Sequence, residues 1–145
     1  MYEERDPMSE IEKFFQRYEE GANTFEPRLV VSQFAPSFMS ADPKGAECLR
    51  NDTKFRKAIP EREALFRKIG FRSAKILELS ETPLDDRYVM AQVKWHMVFE
   101  KDVGKPLDFQ FYITYFLYDK GDGPKVVFYI SHDDEEKVMQ DAGLI

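Results

Sequence analysis

The sequence predicts an α+β fold: three N-terminal helices packed on a strongly curved, mostly antiparallel sheet. Three observations carry this. Helical periodicity is concentrated before Gly70, and strand-like runs follow it almost without interruption. The later runs are joined by short turn-rich links, which make antiparallel neighbours. The longest of them, Leu107–Tyr118, is β-branched and aromatic throughout, and both of its faces carry apolar residues. Helices first and strands afterwards is the segregated order of an α+β domain.

Taken in order, residues 1–6 are expected to fray. From Pro7 to Gly21, Met8, Ile11, Phe14, Phe15 and Tyr18 share one helical face opposite a charged one. Pro near the start and Gly near the end punctuate this first helix. Asn23 or Thr24 is expected to cap a shorter second helix, with Pro27 in its first turn. Phe34–Asn51 predicts a hairpin: a strand beginning near Phe38, a turn over Ala41-Asp42-Pro43-Lys44-Gly45, and a return over Ala46–Arg50. Asp52 or Thr53 caps a third helix with Phe55, Ile59, Leu65, Phe66 and Ile69 along its stripe. Pro60 is expected to make that helix restart, and Gly70 to end it.

Four strands follow, over Phe71–Ser80, Tyr88–Phe99, Leu107–Tyr118 and Lys125–His132, as a meander. The tail Asp133–Ala142 predicts one or two helical turns, capped by Asp133 or Asp134. Without repeats, low-complexity segments or a linker, residues 1–145 are expected to form one domain.

Composition narrows the function classes. The net charge of −6 argues against nucleic acid or an anionic membrane surface as partner. No apolar run reaches spanning length and the N-terminus is acidic, so a soluble, cytoplasmic protein is expected. One cysteine, Cys48, excludes an internal disulfide, and two histidines cannot build a multi-histidine metal site; neither metal nor cofactor is expected.

Several segments together resemble the superfamily of nuclear transport factor 2-like proteins, which includes ketosteroid isomerase and the SnoaL-like polyketide cyclases. They are Phe34-Ala35 followed by Asp42-Pro43-Lys44-Gly45, the Lys68-Ile69-Gly70-Phe71 entry to the sheet, Val93-Lys94-Trp95, and Tyr129-Ile130-Ser131-His132-Asp133-Asp134. The resemblance implies a cystatin-like cone with a cavity at its open end. It also implies roles: Asp42, in an Asp-Pro-x-Gly turn, would be a general base, and Tyr18 a hydrogen-bond donor to a developing oxyanion. The family's third partner, an acid on the central strand, is replaced here by Thr114. The turn chemistry of Asp-Pro-x-Gly accounts equally well for Asp42.

The inward aromatics Tyr18, Phe34, Phe55, Phe66, Trp95, Phe111 and Tyr115 are expected to bound the cavity. Arg62 lies between Ile59 and Phe66 on the same stripe. It either lays its stem along apolar surface or aims its fork at an anionic group in the pocket. His96 alternates outward and His132 ends the last strand; neither has a partner set that points to catalysis. Three functions follow: a pocket for a small, largely apolar molecule, a cofactor-free isomerase or lyase using Asp42 and Tyr18, or an interaction module without catalysis. The outward face of the sheet, with Tyr88, Met90, His96, Val98, Tyr112, Phe116 and Tyr118, is too apolar for a solvated face and predicts a homodimer.

Overall fold

A computed structural model describes residues 8–145. The expectations placed on residues 1–7, including the helix start at Pro7, lie outside the described residues. Helix α1 spans Glu10–Thr24, α2 Pro27–Ser32, strand β1 Phe34–Asp42, β2 Gly45–Arg50, α3 Thr53–Lys68, β3 Phe71–Pro83, β4 Tyr88–Phe99, β5 Leu107–Tyr118, β6 Lys125–Ser131 and α4 Glu135–Asp141. The six strands form one sheet in the order β2-β1-β6-β5-β4-β3. Every neighbouring pair is antiparallel except β1 and β6. Register shifts in the β1–β6, β3–β4 and β5–β6 pairings bend the sheet, as an extra residue in a ladder does. The α+β class, the curved sheet and the four-strand meander are as the sequence predicts.

Alternation along the strands sorts their side chains by face. Ala91, Val93, Trp95, Met97 and Phe99 of β4 are buried, as are Phe109, Phe111, Tyr115 and Leu117 of β5. They face the helices, where Ile11, Phe14 and Phe15 of α1 and Ile59 and Phe66 of α3 meet them in one core. Each large buried side chain contributes roughly 1.5–3 kcal/mol by leaving water, so this aromatic core dominates the fold's stability.

Several boundaries differ from expectation: β1 begins at Phe34 rather than near Phe38, β3 runs on to Pro83 rather than ending at Ser80, and the helices differ too. Gly21 does not end α1, which runs on to Thr24. A Cβ at Gly21 would meet Val30 Cγ2 at 3.3 Å, so the glycine serves the close crossing of α1 and α2. The left-handed cap falls on Phe25 instead, at φ 56°. Its ring is held edge-on against Phe66 and Phe71, which offsets the cost of that conformation in a residue other than glycine. The second helix is capped by Glu26, whose side chain accepts from the Arg28 N–H, rather than by Asn23 or Thr24. Finally, α3 runs through Pro60 without restarting. Proline forfeits one helical hydrogen bond there, but Arg56 and Pro60 are both exposed, where water can satisfy the orphaned carbonyl.

Asn23 has other work. Its side-chain oxygen accepts the Ala74 N–H at 2.8 Å and its amide donates to the Ala74 carbonyl at 2.7 Å. With Glu19 accepting the Ile76 N–H at 3.3 Å, α1 thus satisfies the edge of β3 that has no strand neighbour. At Gly70, φ is +85° and a Cβ would sit 2.4 Å from the backbone of Glu100. Only glycine fits the step from α3 into the sheet.

Candidate functional site

The interior aromatics form two clusters. One surrounds Phe99: Phe66 and Phe71 each stand 5.6 Å from it, Phe109 stands 6.0 Å away, and Phe109 stacks on Phe111. The other surrounds Tyr18 and Phe34. Tyr18 lies 5.2 Å from Tyr115 and 6.1 Å from both Trp95 and Phe34; Phe34 lies 5.3 Å from Phe55, 4.6 Å from Phe38 and 6.3 Å from Tyr129. Of the residues expected to line a site, Tyr18, Phe34, Phe55, Trp95 and Tyr115 therefore meet. Phe66 and Phe111 pack instead in the Phe99 cluster, further along helix and strand than the Tyr18 group.

Two polar side chains meet within the Tyr18 cluster. Trp95, buried, donates its indole N–H to the Tyr115 hydroxyl at 3.0 Å. Burial pushes the Tyr115 hydroxyl well above the ordinary phenol range; the nearby Tyr18 adds to this and the Trp95 hydrogen bond opposes it. Tyr18 is likewise pushed up, first by burial and then by Tyr129, against a hydrogen bond from Tyr115 and the positive charge of Arg62. Trp95 thus donates to Tyr115, and the Tyr115 ring stands edge-on to Tyr18 at 5.2 Å.

The charge of Glu135, at the start of α4, is felt at both tyrosines. Burial raises its carboxyl above the ordinary range, Ser131 and Arg62 lower it, and Asp133 and Asp42 raise it further. Ser131 Oγ lies 2.5 Å from Glu135 Oε2 and 3.0 Å from the Asp133 carbonyl. The approach of α4 is fixed locally. Asp134 caps it by accepting the Lys137 N–H, Lys44 of the β1–β2 turn lies 3.7 Å from both Asp134 and Glu136, and Lys101 donates to the Leu144 carbonyl. Met139 and Leu144 are buried, which holds the tail down.

Arg62 is exposed, with its guanidinium carbon 4.5 Å from the Phe66 ring centroid. Its stem lies along apolar surface while its charge reaches Tyr18 and Glu135.

Asp42 is a correction. The desolvated carboxyl expected of a general base is not found: Asp42 is exposed at the end of β1 and accepts the Lys44 N–H at 2.8 Å. It shares an open hollow of about 230 Å³ with Lys44 and Glu47 on the outside of the molecule. The Asp-Pro-x-Gly segment is a turn, and its carboxylate is used within the turn.

Sequence reasoning missed Glu135, Ser131 and Tyr129. Tyr129 and Ser131 were within reach, because alternation puts both on the inward face of β6. Glu135 sits in an acidic run that reads as a solvated helix start, and no local pattern separates it from Asp134 or Glu136. Among the described residues no three His, Cys, Asp or Glu side chains are grouped as metal ligands, and no helix is long and apolar enough to cross a membrane.

A family model described as NTF2-like protein (DUF6841) matches residues 9–134. The chain belongs to this NTF2-like family. Solved structures similar to this NTF2-like chain include Aln2 from a Streptomyces species, at TM-score 0.70 and 12% identity over 90% of this chain and 93% of that one. An NTF2-like superfamily protein from Salmonella enterica serovar Typhimurium has TM-score 0.64 and 17% identity over 84% and 87%. A cystatin-like protein from Nostoc punctiforme has TM-score 0.66 and 11% identity over 86% and 89%. At these identities the likeness is one of fold. No curated protein sequence matches the chain.

Proposed function

We propose that this NTF2-like chain binds a small, largely apolar molecule at the Tyr18 end of its aromatic interior. The observation that carries this is the buried Trp95–Tyr115 hydrogen bond set edge-on against the half-buried Tyr18, at the place where Phe34, Trp95 and Tyr115 close round a phenol. A core needs no such convergence of buried polar groups, whereas binding sites combine apolar walls with a few placed donors and acceptors. Phe34, Phe55 and Tyr129 supply the walls. The test is titration of the single Trp95 fluorescence with a panel of aromatic and alicyclic ligands. A saturable change lost in Tyr18→Ala supports the site; no change with any ligand sinks it.

One observation favours a second reading, that of an isomerase or lyase. Among the described residues, the carboxyl that burial raises and whose charge is felt at Tyr18 is Glu135 rather than Asp42. In that reading the Glu135 carboxylate takes a proton from the carbon beside a ligand carbonyl. The electron pair moves to the carbonyl oxygen, the Tyr18 O–H holds that oxygen, and Glu135 returns the proton to another carbon. Proton exchange at such a carbon, followed by NMR in deuterated buffer, tests it. We further propose that two copies associate through the outward sheet face, without nucleic acid or membrane as partner; if the interior binds nothing, that face becomes the functional surface.

A further inference from the structure

Strand β5 outruns its neighbour at one end of the sheet. β6 ends at Ser131, opposite Ile113, so among the described residues Leu107–Tyr112 has β4 on one side and no strand on the other. The inward rings of that stretch, Phe109 and Phe111, are buried all the same. The chain after β6 closes the gap. His132 donates its backbone N–H to the Tyr112 carbonyl at 3.0 Å, and Asp133 accepts the Tyr112 N–H at 3.3 Å. The chain thus leaves the sheet alongside β5 and enters α4. It returns at the link between β4 and β5, where Lys101 Nζ donates to the Leu144 carbonyl at 3.2 Å. Between these two points Met139 and Leu144 are buried, in the same core as Phe99, Phe109 and Phe111.

The surface beneath this segment leads to the Tyr18 cluster. Phe111 stands opposite Trp95 in the β4–β5 register, and Trp95 bonds Tyr115 and packs on Tyr18. The segment itself is lightly tied. Lys44 of the β1–β2 turn lies 3.7 Å from Asp134 and from Glu136, but its side chain is exposed, and ion pairs of that kind contribute little. Within the segment the backbone bonds are local: Val138 donates to Asp134, Ala142 to Val138 and Leu144 to Met139. From Lys137 onward, among the described residues, the hydrogen bond to another element is the one from Lys101. Two buried side chains and one lysine therefore fasten its far half. A short segment so held opens at lower free energy than the sheet beneath it.

We infer that Glu135–Leu144 is a strap across this end of the sheet, and that a ligand enters the Tyr18 cluster when Met139 and Leu144 lift away. The inference rests on the pocket reading, and the experiment separates the two. Hydrogen exchange followed by mass spectrometry reports the strap without any ligand. Residues 135–144 should exchange while β4 and β5 stay protected. Leu144→Ala should quicken exchange in the strap about thirtyfold, the lower end of what truncating a buried leucine costs, and leave the sheet unchanged. Lys101→Met should quicken it about tenfold, in keeping with a lost hydrogen bond to a charged group. Stopped-flow Trp95 fluorescence with 1-adamantanol as probe then reads entry, and association should speed up in both variants by the same factors. Strap exchange that occurs only together with the sheet overturns the strap. Equal association rates in wild type and both variants overturn its control of entry and spare the pocket. No response to 1-adamantanol in any of the three proteins overturns the pocket and the strap's role with it. Lys101 is exposed, so its variant keeps the fold and decides the matter should Leu144→Ala unfold; circular dichroism verifies this.

Discussion

Trp95 and Tyr115, on the inward faces of adjacent strands, are joined by an indole N–H to hydroxyl hydrogen bond of 3.0 Å with both side chains buried. Tyr115→Phe keeps the ring and its contacts with Phe15 and Tyr18 but leaves the indole N–H without a partner. A buried donor left unsatisfied costs about 1–3 kcal/mol. Urea unfolding should show a loss of that size, and Trp95 emission should move because its hydrogen bond is gone. An unchanged midpoint and spectrum would show that the bond contributes nothing to the native state.

Asn23 offers a second, independent test, because it bonds both backbone groups of Ala74 on a sheet edge that has no strand neighbour. Asn23→Ala removes two hydrogen bonds to β3 and exposes that edge. The expected cost is about 1–3 kcal/mol. Amide exchange at Ala74 should quicken more than exchange in β5. If Ala74 stays protected, the helix does not guard the edge.

Asp42 and Glu135 are expected to part company. Asp42→Asn alters an exposed turn and should change stability by no more than about 0.5 kcal/mol, with ligand binding intact. Glu135→Gln acts on the carboxyl whose folded value lies above the ordinary 4.5. The native state then holds that proton more tightly than the unfolded chain. The resulting stabilisation is complete below 4.5 and is lost as pH rises through the folded value. Wild type should therefore lose stability relative to Glu135→Gln across that window. Parallel pH–stability curves for the two proteins would place Glu135 in an ordinary aqueous setting.

The strand alternation of β4 and β5 carried most of the fold into view, because period-two burial is a local property of the chain. Tyr18, Trp95 and Tyr115 were legible for the same reason: each sits on an apolar stripe whose direction the sequence states. Gly21 misled because its usefulness lies in contact with Val30 on the next helix, and local punctuation cannot reveal that. Asp42 misled because one tetrapeptide serves both a turn and a family's active site. Glu135 was illegible because its environment is assembled from β6 and α3, so only the folded chain brings Ser131 beside it and Arg62 within reach of its charge.

The outward sheet face sets the last prediction. Tyr112 is 50% exposed and Tyr88 40%, and around them Tyr118 packs 5.0 Å from Tyr88 while Phe116 stacks on Phe128. Thr114 is buried on this same face, with its hydroxyl 2.7 Å from His132 Nε2. Tyr112 keeps half of its surface exposed although His132 donates its backbone N–H to the Tyr112 carbonyl and Asp133 accepts the Tyr112 N–H. Gln92 and Thr114 interrupt the patch midway, and toward one end His96 meets Asp108 at 3.1 Å and Lys94 lies over the Tyr112 ring. An aromatic patch with a charged margin is the anatomy of a two-fold interface, where one surface pairs with its own copy. Size exclusion with light scattering at micromolar concentration should give twice the 17.1 kDa chain mass. Tyr112→Glu together with Phe116→Glu would set like charges against each other across the axis, and should yield a folded monomer. A wild-type monomer at that concentration would sink the dimer and leave the patch to some other partner.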